Sequence, residues 1–116
     1  MAKKRIVLEL GQGTSLRNEN YTRAAKRAVE NALWKNSLSV AELFGFDKKD
    51  MLIDVVLGSQ EPKLVDKKII EAIFPYGEVS IDCIFGGLDV LKPDASGKTI
   101  IVTAAIIVSF KMEAIA

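Results

Sequence analysis

The run from Thr99 to Phe110 constrains this chain most, because it is apolar on both faces of a strand. Ile100, Val102, Ala104, Ile106, Val108 and Phe110 fall on one side and Ile101, Ala105 and Ile107 on the other. A strand of that kind belongs in the middle of a sheet with both faces out of water. Whatever else the chain folds into must supply neighbours for it and cover on two sides.

The neighbours are legible upstream. Arg5 to Leu10 alternates, with Ile6, Leu8 and Leu10 on one side and Arg5, Val7 and Glu9 on the other. Gly11-Gln-Gly13 is expected to end that strand, since glycines relax the backbone. A helix follows the potential caps Asn18 and Asn20, with Ala24, Ala25, Ala28, Val29, Ala32 and Leu33 as its apolar stripe and Arg23, Lys26, Arg27 and Glu30 facing away. Ser39 to Glu42 reads as a capping box opening a short turn that Gly45 closes.

Met51 to Leu57 alternates as a second strand. Asp66 to Ile73 is the second helix, with Val65, Ile69, Ile70 and Ile73 inward and Pro75 as its stop. Glu78 to Phe85 is a third strand, broken by Gly86-Gly87, and Pro93 to Gly97 connects to the fourth. The order β-α-β-α-β-β predicts one α+β domain over residues 1–116, a four-stranded mixed sheet with its helices on one face.

Two helices cover only one face of such a sheet. Val7, Leu52, Val56 and Ile84 join Ile101, Ala105 and Ile107 on the other, making an apolar patch larger than a monomer usually leaves in water. A second copy is the simplest cover, so a homo-oligomer is expected. Asp54 and Asp82 fall on the same helix-free face. They read either as halves of ion pairs across a subunit contact, with Arg5 or Arg17 as partners, or as a carboxylate pair for acid–base work.

Sixteen basic side chains stand against fifteen acidic, which gives no net field for nucleic acid or an anionic membrane. The longest apolar run is strand-length, and neither a membrane span nor a secretory leader is expected. Cys83 is the only cysteine and histidine is absent. Internal disulfides, zinc sites and imidazole chemistry are thereby excluded within one chain, and the composition suits a reducing cytosol. Gly11-x-Gly13 lacks the third glycine of a dinucleotide fingerprint, because Leu16 holds that place. Gly97-Lys98-Thr99 resembles the end of a P-loop but precedes a strand, so no cofactor is expected.

The segment Gly11 to Asn20 is the candidate site. Gly11, Gly13, Thr14, Ser15, Arg17, Asn18, Asn20 and Arg23 combine open backbone, hydroxyls, amides and arginines with the positive end of a helix. That combination suits a small anion. The alternative is that the amides merely cap the helix and the arginines are solvated.

The stretch Leu10-Gly-Gln-Gly-Thr-Ser-Leu-Arg-Asn-Glu-Asn-Tyr-Thr-Arg-Ala-Ala-Lys-Arg-Ala-Val29 resembles the opening of a small conserved-hypothetical bacterial family, also present in plants, named after a Listeria reading frame. The resemblance extends through Pro75-Tyr-Gly77 and Gly86-Gly87-Leu88. The family signature is Gly-x-Gly-x-Asp-x-His-Gly before a Tyr-Thr-Lys-Ala-Ala-x-Arg-Ala-Val helix. Gly11 and Gly13 match it, whereas Ser15 replaces the aspartate, Arg17 the histidine and Asn18 the last glycine. The resemblance therefore implies lost or altered chemistry at that pair, with an anion site able to survive. The element order is also similar to the Bacillus chorismate-mutase-like fold, shared with the Rid deaminases, and this implies trimers that bind small carboxylates at subunit clefts. From residues and resemblance together, the expected function is a trimer holding a small anionic metabolite. The alternative is a non-catalytic structural or regulatory oligomer.

Overall fold

The structure, a computed structural model, describes residues 2–16, 19–34, 51–74, 77–94 and 96–112. Its elements are β1 (Ala2–Ser15), α1 (Tyr21–Trp34), β2 (Leu52–Ser59), a 3₁₀ turn (Pro62–Leu64), α2 (Lys67–Glu71), β3 (Glu78–Phe85), β4 (Leu88–Leu91) and β5 (Lys98–Met112). The expected capping box at Ser39 lies outside the described residues.

The strand order is β1-β5-β2-β3. β5 pairs antiparallel with β1 and β2, while β2 and β3 are parallel. The doubly apolar strand is thus central, as its residues require. One of its edges carries β1 along nearly its whole length; the other carries β2 over residues 103–109 and then β4 over residues 98–101.

Among the described residues the expected four strands are therefore five. β4 escaped the sequence reading because Leu88-Asp-Val-Leu91 is too short to display a period. The Gly86-Gly87 break sets it in place. Gly87 has φ +64, and a Cβ there would lie 2.3 Å from the Ile101 carbonyl oxygen. Gln60 holds the same corner, its amide donating to the Gly86 and Gly87 carbonyls at 2.9 and 3.2 Å.

α1 and α2 lie on one face. Ala24, Ala25, Ala28, Val29 and Ala32 of α1 are buried against Ile53, Val55 and Leu57 of β2 and Ile100, Val102, Ala104, Ile106 and Val108 of β5. Each large aliphatic side chain enclosed there contributes about 1.5–3 kcal/mol relative to exposure. α2 is a single turn, capped by the Asp66 carboxylate accepting from the Lys68 N–H at 3.0 Å. So short a helix buries one side chain, Ile70, and Ile69 is left exposed rather than inward as its spacing suggested.

β1 departs most from its sequence pattern. It runs through both glycines to Ser15 instead of ending at Gly11, and a bulge interrupts it between Arg5 and Val7. Leu8 pairs with Ile107 and Leu10 with Ala105, so both leucines stand on the helix-free face, half exposed or more. From Val7 to Leu10 the alternation was correctly read, but its sides were assigned the wrong way round; the bulge puts Arg5 out of step with Val7 and Glu9. Gly11 and Gly13 occupy the helix-facing register because the backbone of α1 lies directly on them. A Cβ at Gly11 would fall 2.2 Å from the Ala28 carbonyl oxygen, and one at Gly13 would fall 2.2 Å from that of Ala24. The alanine stripe brings the helix close, and the glycines admit it.

Candidate functional site

The predicted anion segment resolves into parts with separate tasks. Gly11 and Gly13 form the bed of α1, with no room for a ligand between helix and strand. Thr14 gives its carbonyl to the Arg27 guanidinium at 2.8 Å. Ser15, 2% exposed, accepts the Asn20 N–H on its hydroxyl at 3.2 Å. Asn20 in turn accepts the Arg23 N–H at 3.0 Å, so it caps α1 as its residue type predicts. Arg17 and Asn18 lie outside the described residues.

Two of the nominated residues, Asn20 and Arg23, do line an open groove between the start of α1 and α2, with Thr22, Lys26, Asp66 and Ile69. Its volume is about 350 Å³. Thr22 ties its walls together, its hydroxyl donating to the Leu64 carbonyl at 3.2 Å and accepting the Asp66 N–H at 2.9 Å.

Behind the capped end of α1 stands a polar cluster that the sequence did not disclose. The Tyr21 hydroxyl donates to Asp89 at 2.6 Å, and the Lys98 ammonium lies 3.2 Å from the same carboxylate oxygen. Lys98 also sits 5.8 Å from the Tyr21 ring centroid, and its backbone N–H donates to Glu19 at 2.9 Å. The other carboxylate oxygen of Asp89 is buried and has no hydrogen-bond partner among the described residues. Only the β4–β5 hairpin brings Asp89 beside Lys98, so missing β4 meant missing the cluster. The arrangement locks the hairpin onto α1.

Burial, and then the bond to Asp89, raises the Tyr21 hydroxyl above its ordinary value of 10.0; the bonds to Tyr21 and Asp89 raise the Lys98 ammonium above 10.5. Both groups hold their protons more tightly folded than unfolded. Their contribution to stability is therefore complete below about pH 10 and is lost as pH rises through the raised folded values. Urea titrations between pH 7 and 11 are expected to show this loss. Tyr21→Phe should cost about 1.5–3 kcal/mol at neutral pH, the usual range for a hydrogen bond to a charged group, and should flatten the alkaline fall.

Asp54 pairs opposite Ile107 and Ser80, and Asp82 opposite Val56, which places both on the helix-free face as expected. Cys83 is half-buried on the helix side, where burial pushes its thiol up and disfavours the nucleophilic thiolate. No helix among the described residues is long and apolar enough to cross a membrane.

Among functionally curated proteins, none matches the chain. It is similar to a crystal structure of an FtsZ-like protein of unknown function from Nostoc punctiforme, with a TM-score of 0.85 and 30% identity over 97% of this chain and 99% of that one. The model of a conserved hypothetical protein family, Lin0512, matches residues 5–108, including the glycine pair under α1 and the whole sheet core to Val108. The chain belongs to the Lin0512 family of conserved hypothetical proteins.

Proposed function

We propose that the protein works as a self-associating module, its helix-free sheet face covered by further copies of the same chain. One observation carries this reading. Across the strands, Leu8 and Ile107, then Leu10, Ala105 and Val56, and, beyond the Gln12–Thr103 row, Ile101 and Leu88 align in rows on a face that no described helix covers, with Leu10 61% and Leu88 59% exposed. An apolar field of that breadth is an interface feature in a soluble protein. The order β1-β5-β2-β3 with one parallel pair supports kinship with the chorismate-mutase-like fold, and with it a trimer as the stoichiometry. Sedimentation equilibrium at micromolar concentration tests the reading. A mass that is a multiple of 12.7 kDa is expected, and a single species at 12.7 kDa would sink it.

The second reading, a small anion held at the start of α1, draws support from Arg23 and Lys26 on the rim of the Asn20 groove. It ranks below the first because Asp66 lines the same groove and repels an anion, while the glycine segment is closed by helix packing. Calorimetric titration of phosphate and small carboxylates into wild type and Arg23→Ala distinguishes the cases. A charged hydrogen bond from Arg23 would make the variant weaker by about 1.5–3 kcal/mol; equal binding would remove Arg23 from any site.

A further inference from the structure

β4 adds a ledge to the helix-free face, and its attachment to the sheet is slight. It has four residues and pairs with β5 alone among the described strands. Leu88 lies opposite Ile101 and Val90 opposite Thr99, so both stand on the helix-free side, and both are exposed. With Thr14, which also pairs with Ile101, they extend that face beyond the Gln12–Thr103 row. None of these side chains is charged. The extension therefore fits a partner surface that is itself uncharged and largely apolar, and the same face of another copy is one.

What holds β4 in place lies on its other side. Alternation gives it two helix-side positions, Asp89 and Leu91. Leu91 is 74% exposed, so the tie to α1 falls to Asp89. Its carboxylate receives the Tyr21 hydroxyl at 2.6 Å and the Lys98 ammonium at 3.2 Å. Tyr21 is buried at the first position of α1, and the N–H of Lys98 is bonded in turn to Glu19, just ahead of that helix. Asp89 sits between Leu88 and Val90 in the chain and faces the opposite way, so the cluster stands directly behind the exposed pair.

Successive residues of a strand share one pleat, and anchoring Asp89 under α1 fixes the direction of its two neighbours. Without that anchor, a short strand with a single pairing partner opens locally. Leu88 and Val90 would then have to be ordered again at each association, which lowers affinity without removing any contact.

We propose that Tyr21, Asp89 and Lys98 are positioning residues for self-association, fixing β4 from the helix side so that Leu88 and Val90 form part of the surface that meets the next copy. The inference rests on the self-association reading and adds the residues that control it, none of which lies on the contact face.

Sedimentation equilibrium of full-length variants tests it, with circular dichroism to show that each is folded. Tyr21→Phe keeps the ring and removes the donor, and is expected to raise the dissociation constant about tenfold through the added ordering cost. Lys98→Met keeps the stem of a partly exposed side chain, so its folding is secure, and it should raise the constant about threefold, as suits a partly exposed ion pair. Hydrogen exchange at the β4 amides should quicken in both. In a Leu88→Ala background, Tyr21→Phe should add less than about threefold, because the two changes act through one surface. Val29→Ala, which removes methyl groups from the buried side of α1 away from this cluster, should lower stability and leave association unchanged. An oligomeric wild type whose Tyr21→Phe and Lys98→Met variants associate equally well would overturn the positioning role and leave self-association intact. So would fully additive losses with Leu88→Ala, or an equal weakening by Val29→Ala. A monomeric wild type would overturn the self-association reading itself.

Discussion

Gly13→Ala is expected to unfold the protein or to leave it barely stable, although it adds one methyl group. The new Cβ would stand 2.2 Å from the Ala24 carbonyl oxygen and 2.3 Å from the Ala28 nitrogen, both main-chain atoms of α1. Side chains can rotate away from an intruding group; a helix backbone moves only as a whole. Inserting a methylene into a packed core usually costs about 1–3 kcal/mol. Here the helix must lift from β1 and loosen every alanine contact, so the cost should exceed about 3 kcal/mol, a large part of the stability of a domain this size. Gly11→Ala meets the Ala28 oxygen and the Ala32 nitrogen one turn further on and should behave alike. Urea denaturation of the purified variants measures the effect. Ala24→Gly should not rescue Gly13→Ala, because the obstructing atoms are not side-chain atoms. Wild-type stability in Gly13→Ala would mean that α1 stands farther from β1 than described.

Leu10→Asp is expected to dissociate the proposed assembly while leaving each subunit folded. Leu10 lies in the middle row of the helix-free face, beside Ala105, and is well exposed in the isolated chain. The substitution therefore costs the subunit little. In the assembly it would bury an unpaired carboxylate, a penalty of roughly 3 kcal/mol or more. That corresponds to a dissociation constant more than a hundredfold higher. Sedimentation at micromolar concentration should find monomers with an unchanged circular dichroism spectrum, and an undisturbed oligomer would show that this face is not the contact.

The contrast between these two positions shows what kind of information a strand pattern holds. Leu10 and Gly11 are adjacent, and alternation alone puts them on opposite faces. Hydrophobicity assigned Leu10 to the core and glycine to a turn, and the structure does the reverse. The cause is α1, whose alanines make a helix surface so shallow that only glycine fits beneath it, which displaces the larger leucines to the other side.

The candidate segment divides into separate tasks for a related reason. Glycines, hydroxyls and amides before a helix look alike whether they await a ligand or serve the fold. The hydrogen bonds of Ser15, Asn20 and Thr14 show them serving the fold. The Tyr21–Asp89–Lys98 cluster had no sequence signal, because its members come from α1, β4 and β5 and meet only through the hairpin.

By itself the sequence determined the central strand, the alanine stripe, the helix-side faces of β2 and β3, and the position of Asp54 and Asp82 away from the helices. Those features follow from local periodicity and burial, which neighbouring residues encode together. Tertiary structure alone decided the facing of β1, the presence of β4, and the separate tasks of the residues from Gly11 to Asn20. Each of these depends on contacts between segments distant in the chain, where the close approach of a helix backbone outweighs the preference of any single side chain.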